Sequence, residues 1–312
     1  MRQFTPRAAR GVLSKAPGTR LHILAPQAMI LSRRPGSPGG GTATTMGAQM
    51  KPNNIRTVWE QKGHVVNGWL GIPSSFSAEV MAHMGWDSLC VDLQHGLIDY
   101  QMAVGMMQAI CTTPVTPIVR VPWNDPALIM KCLDAGALGV ICPMINNRAE
   151  AERFVQACRY APRGYRSSGP IRAMVWAGDD YHAKADDTIL TFAMIETAEG
   201  VKNLDSILTT PGLDAVYVGP SDLSISLGGK PGIDSTDPKV VEAIDQILAG
   251  CKRHGIHAGL HTGSSAYAKA MVAKGFDFVT LMTDTRLLIQ AARQIVQEMR
   301  ATAAKAGAGA VY

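Results

Sequence analysis

The sequence lacks the features that mark membrane-spanning, disulfide-rich and nucleic-acid-binding proteins. It contains no run of eighteen or more apolar residues, the minimum for a membrane-spanning helix. Its six cysteines lie in apolar segments without a CxxC pair or a His/Cys cluster. This argues against disulfides and structural zinc and predicts a reducing, cytoplasmic compartment. No basic stripe interleaved with aromatic residues occurs, so neither nucleic acid nor a membrane is an expected partner.

Acidic residues are absent from residues 1–50, which carry seven of the 30 Lys and Arg residues. The other 23 basic residues and all 25 acidic residues follow, so the net charge of +5 originates in this segment. Its stretch RRPGSPGGGTATT cannot build a core. The segment is either an organellar, for example mitochondrial, transit peptide or the product of an over-extended start, with Met46 or Met50 as the true start. We expect a disordered extension over 1–50 and one domain over 51–312.

Short apolar runs alternate with amphipathic helical patterns beyond the extension. The runs cover residues 65–72, 87–94, 116–122, 138–144, 189–196, 213–220, 256–261 and 277–284. Continuous apolar strands alternating with helices indicate a parallel sheet covered on both faces. Eight such units in ~250 residues predict an α/β fold, the TIM (β/α)8 barrel. A doubly wound open sheet would need fewer strands or a second domain, and no linker supports one.

One connection is much longer than the others. Residues 162–187 separate the fourth helix pattern from the fifth strand and include Tyr165, Arg166, Arg172 and Trp176. Ordinary connections in such folds are much shorter. We therefore expect this segment to form a loop over the active face.

Polar residues occur where the predicted strands end, which is where TIM barrels carry their chemistry. These residues are Asp92 and His95 after strand 2, Arg120 on strand 3, Glu196 after strand 5, Gly219, Ser221 and Asp222 after strand 6, and His261 and Thr262 on strand 7. We expect them to converge on one rim of the barrel.

The motif VDLQHG presents a carboxylate and an imidazole together, at Asp92 and His95. The two residues either form a polar turn or act as a base and the carboxylate that orients it. Arg120, in the apolar run PIVRVP, is either half of a structural salt bridge or a fixed cation beside a keto-acid oxygen.

Two carboxylates at the ends of consecutive strands, Glu196 and Asp222, are typical ligands of Mg²⁺ or Mn²⁺. Each also has a structural interpretation, as a helix N-terminal carboxylate in ETAEG and as a helix cap before LSISLG. The backbone N–H groups of the GPSD turn could hold a carboxylate or phosphate. No Lys lies on any of the eight runs, which favours metal-assisted chemistry on a 2-keto acid over a Schiff base.

Six ordered segments carry a family resemblance from about residue 54 to residue 300. VDLQHG, PIVRVPWNDP, GVICPMINN, RYAPRGYRS, MIETAEGVKNLD and GLDAVYVGPSDLS resemble the HpcH/HpaI class II pyruvate aldolases. The resemblance implies a TIM barrel of the phosphoenolpyruvate/pyruvate type, with Mg²⁺ or Mn²⁺ (Co²⁺ being compatible) held by Glu196 and Asp222. It implies His95 as the base, oriented by Asp92, and Arg120 as the group that polarises the keto acid. The backbone around Gly219, Ser221 and Asp222 would receive the pyruvate carboxylate.

The implied reaction is cleavage of a 4-hydroxy-2-keto acid, such as 4-hydroxy-2-oxoheptanedioate, to pyruvate and an aldehyde, as in the catabolism of aromatic compounds. The implied assembly is a homo-hexamer, a dimer of trimers, with the last helix packing on a neighbour. The alternatives are an oxaloacetate decarboxylase or synthase, a CoA-ester lyase, and a non-catalytic barrel that binds a keto acid. This chain has Gln94 where relatives often carry Glu, and Met194 where the aldolase that it resembles most carries Gln. These departures leave the natural substrate open. We expect residues 162–187 and His261 to shape the aldehyde side.

Overall fold

The computed structural model describes residues 49–307. The predicted N-terminal extension, except for Gln49 and Met50, lies outside the described residues. No helix within residues 49–307 is long and apolar enough to cross a membrane.

Eight parallel strands close into a barrel in which each strand pairs with its neighbours along the chain and β8 pairs with β1. All eight predicted strands are confirmed, with shorter bounds because each apolar run continues into the loop that follows. The strands are β1 Val65–Leu70, β2 Ser88–Asp92, β3 Thr116–Arg120, β4 Gly139–Cys142, β5 Leu190–Ile195, β6 Ala215–Val218, β7 His257–Thr262 and β8 Phe278–Leu281.

Helices separate the strands and surround the barrel, so the predicted TIM (β/α)8 fold is confirmed. They are α1 Asn54–Glu60, α2 Ser75–Ala82, α3 Tyr100–Ile110, α4 Pro126–Asp134, α5 Arg148–Cys158, α6 Ile171–Ala177, α7 Tyr181–Thr188, α8 Ala198–Lys202, α9 Leu204–Leu208, α10 Pro220–Ser226, α11 Pro238–His254, α12 Ser265–Lys274 and α13 Asp284–Gly307. Gly255 and Gly275 end α11 and α12 with φ of 66° and 114°, a backbone conformation that favours glycine.

The apolar core has two layers. One lies between the strands and the helices, and the other fills the barrel with large rings such as Phe192, Tyr217 and Phe278. Helix α1 covers the N-terminal end of the barrel. There Trp59 stacks on His257 at 3.7 Å between ring centroids and donates from Nε1 to the carbonyl of Asp277 at 2.9 Å. The barrel is therefore closed at this end, and its cavity opens at the C-terminal ends of the strands.

The prediction for residues 162–187 is wrong in both position and structure. The segment contains α6 and α7, and no residue of it lines the cavity. Arg172 donates to the carbonyl of Ala135, and Trp176 Nε1 donates to the carbonyl of Cys111 at 3.3 Å, both at C-terminal ends of outer helices. These ends lie beside the N-terminal face of the barrel. The segment packs there because Tyr181 and several alanines are buried in the core.

Candidate active site

A cavity of about 610 Å³ opens at the C-terminal end of the barrel. It brings together seven residues predicted from the sequence, which line its wall: Asp92, His95, Arg120, Gly219, Ser221, Asp222 and His261. Glu196, the eighth, is buried next to this wall, directly behind Gly219, and Thr262, the ninth, is buried away from the cavity. No Lys occurs among the described residues that line the cavity.

Asp92 and Arg120 form a buried ion pair across two strands. They are the last residues of β2 and β3, and the parallel register places them opposite each other. Arg120 donates from Nε to Oδ1 of Asp92 at 2.9 Å and from Nη2 to Oδ2 at 2.6 Å. Only 3% of Asp92 and 8% of Arg120 is exposed. This bidentate geometry fixes the plane of the guanidinium at the cavity wall.

The carboxylate of Asp92 accepts three more hydrogen bonds. Trp69 Nε1 donates to Oδ2 at 3.1 Å, and the backbone N–H groups of Gln94 and His95 donate to Oδ1 at 3.0 and 3.3 Å. Burial alone would raise the pKa of Asp92. The hydrogen bonds and charge of Arg120, with the other donors, outweigh it and hold the pKa below the ordinary value. Asp92 is therefore ionised.

This arrangement differs from the predicted pairing of Asp92 with the ring of His95. Asp92 holds the backbone N–H of His95, and its side-chain partners are Arg120 and Trp69. The imidazole of His95 is exposed at the cavity mouth and makes no hydrogen bond with any described residue. The sequence spacing suggested a local pair, whereas the register of two strands determines the pair that forms.

Glu196 follows β5 and is 3% exposed. Its Oε1 accepts a hydrogen bond from the backbone N–H of Met144 at 2.9 Å, where the chain has a φ of 57°. Burial raises the pKa of Glu196 to about 7; the Met144 hydrogen bond opposes this shift, and the negative charge of Asp222 adds to it. The negative charge of Asp222 is therefore close enough to act on Glu196, and the positive charge of Arg120 acts in the opposite direction.

The turn between β6 and α10 brings Asp222 towards Glu196. Gly219 precedes α10, whose first turn contains Ser221 and Asp222. A Cβ atom on Gly219 would lie 2.5 Å from Oε2 of Glu196 and 2.5 Å from Cε of Met194. Only glycine lets the backbone approach this carboxylate so closely.

The two carboxylates fit a hard divalent cation. A cation between them would relieve their repulsion and lower the pKa of Glu196. Oε2 of Glu196 accepts no hydrogen bond from a described residue, so this oxygen is available as a ligand. The described residues contain no cluster of three or more His, Cys, Asp or Glu side chains with metal-binding geometry. Two carboxylates with water or substrate in the remaining positions match the usual coordination of Mg²⁺.

Trp69 is a site residue that the sequence interpretation missed. It lines the cavity, donates to Asp92, and its ring lies 4.8 Å from the guanidinium carbon of Arg120. A signal was present in β1, where Val65, Asn67 and Trp69 alternate and so point to one face. Met194 lies buried on the cavity wall, at the position where the resemblance predicted an amide.

Known proteins resemble this chain in both sequence and fold. The family model described as HpcH/HpaI aldolase/citrate lyase matches residues 68–291. A hydroxypyruvate/pyruvate aldolase of Rhizorhabdus wittichii is 41% identical over 249 residues, covering 80% of this chain and 99% of the relative. A 4-hydroxy-2-oxo-heptane-1,7-dioate aldolase of Escherichia coli is 38% identical over 246 residues, covering 77% and 92%. Among solved structures, an HpcH/HpaI aldolase/citrate lyase family protein from Burkholderia cenocepacia matches with a TM-score of 0.75 and 32% identity, covering 80% of this chain and 99% of the other.

Proposed function

Because the chain belongs to the HpcH/HpaI aldolase/citrate lyase family, we propose that it is a divalent metal-dependent aldolase that cleaves a 4-hydroxy-2-keto acid to pyruvate and an aldehyde. The observation that carries the proposal is the pair of facing carboxylates, Glu196 and Asp222, beside the buried cation of Arg120. The absence of Lys from the described cavity wall supports metal-assisted chemistry over a Schiff base.

Glu196 and Asp222 would hold Mg²⁺ or Mn²⁺. A bound metal would act as a Lewis acid towards the carboxylate and keto oxygens of the substrate. Glu196 must lose its proton before it can serve as a ligand, and its pKa of about 7 makes this possible near neutral pH. The backbone N–H groups of Ser221 and Asp222 in the first turn of α10 would receive the substrate carboxylate, next to Gly219, whose own N–H donates to the carbonyl of Ile195 at 3.4 Å.

Arg120 supplies a fixed positive charge for the keto oxygen. Its Nε and Nη2 bind Asp92, whereas Nη1 has no hydrogen bond with a described residue and remains available to the substrate. Because Asp92 already orients the guanidinium, the charge needs little reorganisation when negative charge develops on the keto oxygen.

His95 would act as the general base. In the cleavage direction its ring takes the proton of the 4-hydroxyl, the bond between C3 and C4 breaks, and the aldehyde leaves. The electron pair of that bond forms the enolate of pyruvate, which is then protonated at C3. The exposed position of the ring at the cavity mouth supports this role, because both substrate and solvent can reach it.

The test measures pyruvate release from a panel of 4-hydroxy-2-keto acids, with oxaloacetate included to detect a decarboxylase. Chelation with EDTA should abolish pyruvate formation, and Mg²⁺ or Mn²⁺ should restore it. Glu196→Gln should be inactive, whereas Glu199→Gln, an exposed acid on the adjacent helix α8, should behave as wild type. Turnover that survives thorough chelation would exclude the metal-dependent mechanism.

We also propose that the protein assembles through α13. This helix exposes a row of large apolar side chains, namely Leu288, Ile289, Ile295, Val296 and Met299. Such a row is typical of a surface that packs on another chain. Light scattering should give the mass of an oligomer, a hexamer by the family resemblance, and Ile295→Glu should lower it. A monomeric wild type would refute the assembly.

A further inference from the structure

His261 is a cavity residue to which the proposed mechanism gives no role. It is the penultimate residue of β7, is partly buried and lines the cavity wall. Its ring meets the ring of Trp69 edge to face, with 5.1 Å between centroids and an interplanar angle of 83°. The imidazole is therefore held in a fixed orientation by packing.

A chain of hydrogen bonds runs from His261 into the barrel. Nδ1 of His261 lies 2.9 Å from the hydroxyl of Tyr217, which donates to Oγ1 of Thr280 at 2.8 Å. The same Oγ1 accepts from Nδ2 of Asn67 at 3.0 Å. Oδ1 of Asn67 in turn accepts from the hydroxyl of Ser88 at 2.8 Å.

The direction of the Tyr217 hydroxyl proton decides which of the two neutral tautomers the imidazole adopts. With that proton directed to Thr280, the phenol oxygen accepts from His261 and Nδ1 carries the ring proton. Nε2 then has a free lone pair, and it makes no hydrogen bond with a described residue. Burial and the charge of Arg120 lower the pKa of His261 to about 3, so the ring stays neutral at physiological pH.

We propose that Nδ1 of His261 carries the ring proton, that Nε2 accepts a hydrogen bond from a non-reacting hydroxyl group of the substrate, and that the enzyme thereby prefers hydroxylated substrates over their deoxy analogues. The inference rests on the proposed aldolase function. A ring nitrogen without a proton requires a donor, and hydroxyl groups are the donors that a keto acid and an aldehyde can carry. The hydroxyl belongs either to C3 of the keto acid, as in hydroxypyruvate, or to C2 of the aldehyde, as in glycolaldehyde.

Two comparisons of kcat/KM in the condensation direction distinguish these sources. The first compares hydroxypyruvate with pyruvate, using acetaldehyde as the acceptor. The second compares glycolaldehyde with acetaldehyde, using pyruvate as the donor. His261→Leu removes the acceptor atom and should lower one of the two ratios ~5-fold, as expected for one neutral hydrogen bond. His261→Gln, which keeps an acceptor oxygen, should retain part of the preference. Ratios unchanged within about twofold, or an equal loss on all substrates, would overturn the proposal.

Nuclear magnetic resonance of histidine-selective ¹⁵N-labelled enzyme gives an answer that does not depend on activity. His261→Leu identifies the signals of His261. We expect a protonated Nδ1 and an unprotonated Nε2 between pH 6 and 8, with Nε2 shifting on addition of hydroxypyruvate or glycolaldehyde but not of pyruvate or acetaldehyde. A protonated Nε2, or no shift with either hydroxylated compound, would refute the inference. A wild type that turns over none of the three pairs would instead refute the proposed aldolase, while the spectra would still decide the role of His261.

Discussion

Replacing Asp92 by Asn tests how the cavity holds its fixed cation. The substitution keeps the shape of the side chain and removes its charge. In the wild type each carboxylate oxygen faces two or more donors: Oδ2 faces Arg120 and Trp69, and Oδ1 faces Arg120 and two backbone N–H groups. Whichever way the amide of Asn is turned, its NH₂ group points at donors. At least one N–H of Arg120 or its neighbours therefore loses its acceptor.

The expected cost follows from the burial of the pair. Removing one partner of a buried ion pair typically destabilises a protein by ~3–5 kcal/mol, because the other charge is left buried without compensation. Arg120 is 8% exposed, so water screens its charge little. The amide oxygen of Asn still accepts one set of hydrogen bonds, which places the expected loss near ~3 kcal/mol. Activity should fall as well, because the guanidinium loses the group that orients it.

The assay is urea unfolding of wild type and Asp92→Asn at equal protein concentration, with kcat/KM for pyruvate release measured on the folded fraction. Asp99→Asn is the matched control. Asp99 is exposed and caps α3 by accepting from the backbone N–H of Met102, a role that Asn fulfils equally well. A loss below ~1 kcal/mol for Asp92→Asn, together with unchanged turnover, would refute the claim that Asp92 anchors Arg120.

Three further outcomes are expected. His95→Ala should lower kcat for aldol cleavage by ~10²–10⁴-fold. The melting temperature should not change, since the exposed ring of His95 makes no hydrogen bond with a described residue. A loss of stability with full turnover would instead identify His95 as a turn residue. Mg²⁺ affinity measured by calorimetry should rise as the pH increases towards about 7 and then level off, because the cation must displace the proton of Glu196. An affinity that stays constant from pH 5 to 8 would contradict this expectation. The difference in unfolding free energy between wild type and Asp92→Asn should be fully present above the ordinary Asp pKa of ~3.9. It should shrink as the pH falls through the lowered pKa that Asp92 has in the folded protein. A constant difference down to pH 2 would contradict the ionised state of Asp92.

The barrel could be predicted from the sequence because its strands are buried on both faces. One face of each strand meets the helices and the other meets the barrel interior, so every strand appears as an unbroken apolar run. The run boundaries were less accurate. Apolar residues that follow a strand, such as Val121 after β3, are buried in the loop and cannot be distinguished from strand residues by hydrophobicity.

The positions of the candidate site residues were predictable, whereas their partners were not. A rule about strand ends is enough to bring Asp92, Arg120, Glu196 and Asp222 to one rim. The partner of Asp92 depends on the register of β2 against β3, which no local pattern encodes. The segment 162–187 illustrates the same limit, because its two helices are short and their buried face consists mainly of alanines.

The side chain of Trp69 contacts three other residues of the cavity wall. Its Nε1 binds Asp92, its ring lies against the guanidinium of Arg120, and the edge-to-face contact positions His261. Arg120, proposed to meet the keto oxygen, and His261, proposed to meet a hydroxyl, are thus both packed on one ring, which is 2% exposed and belongs to β1. Their separation is set by the barrel and not by the loops. Under the proposed function, loops at the rim can therefore change which aldehyde the cavity admits without altering the geometry at the keto acid.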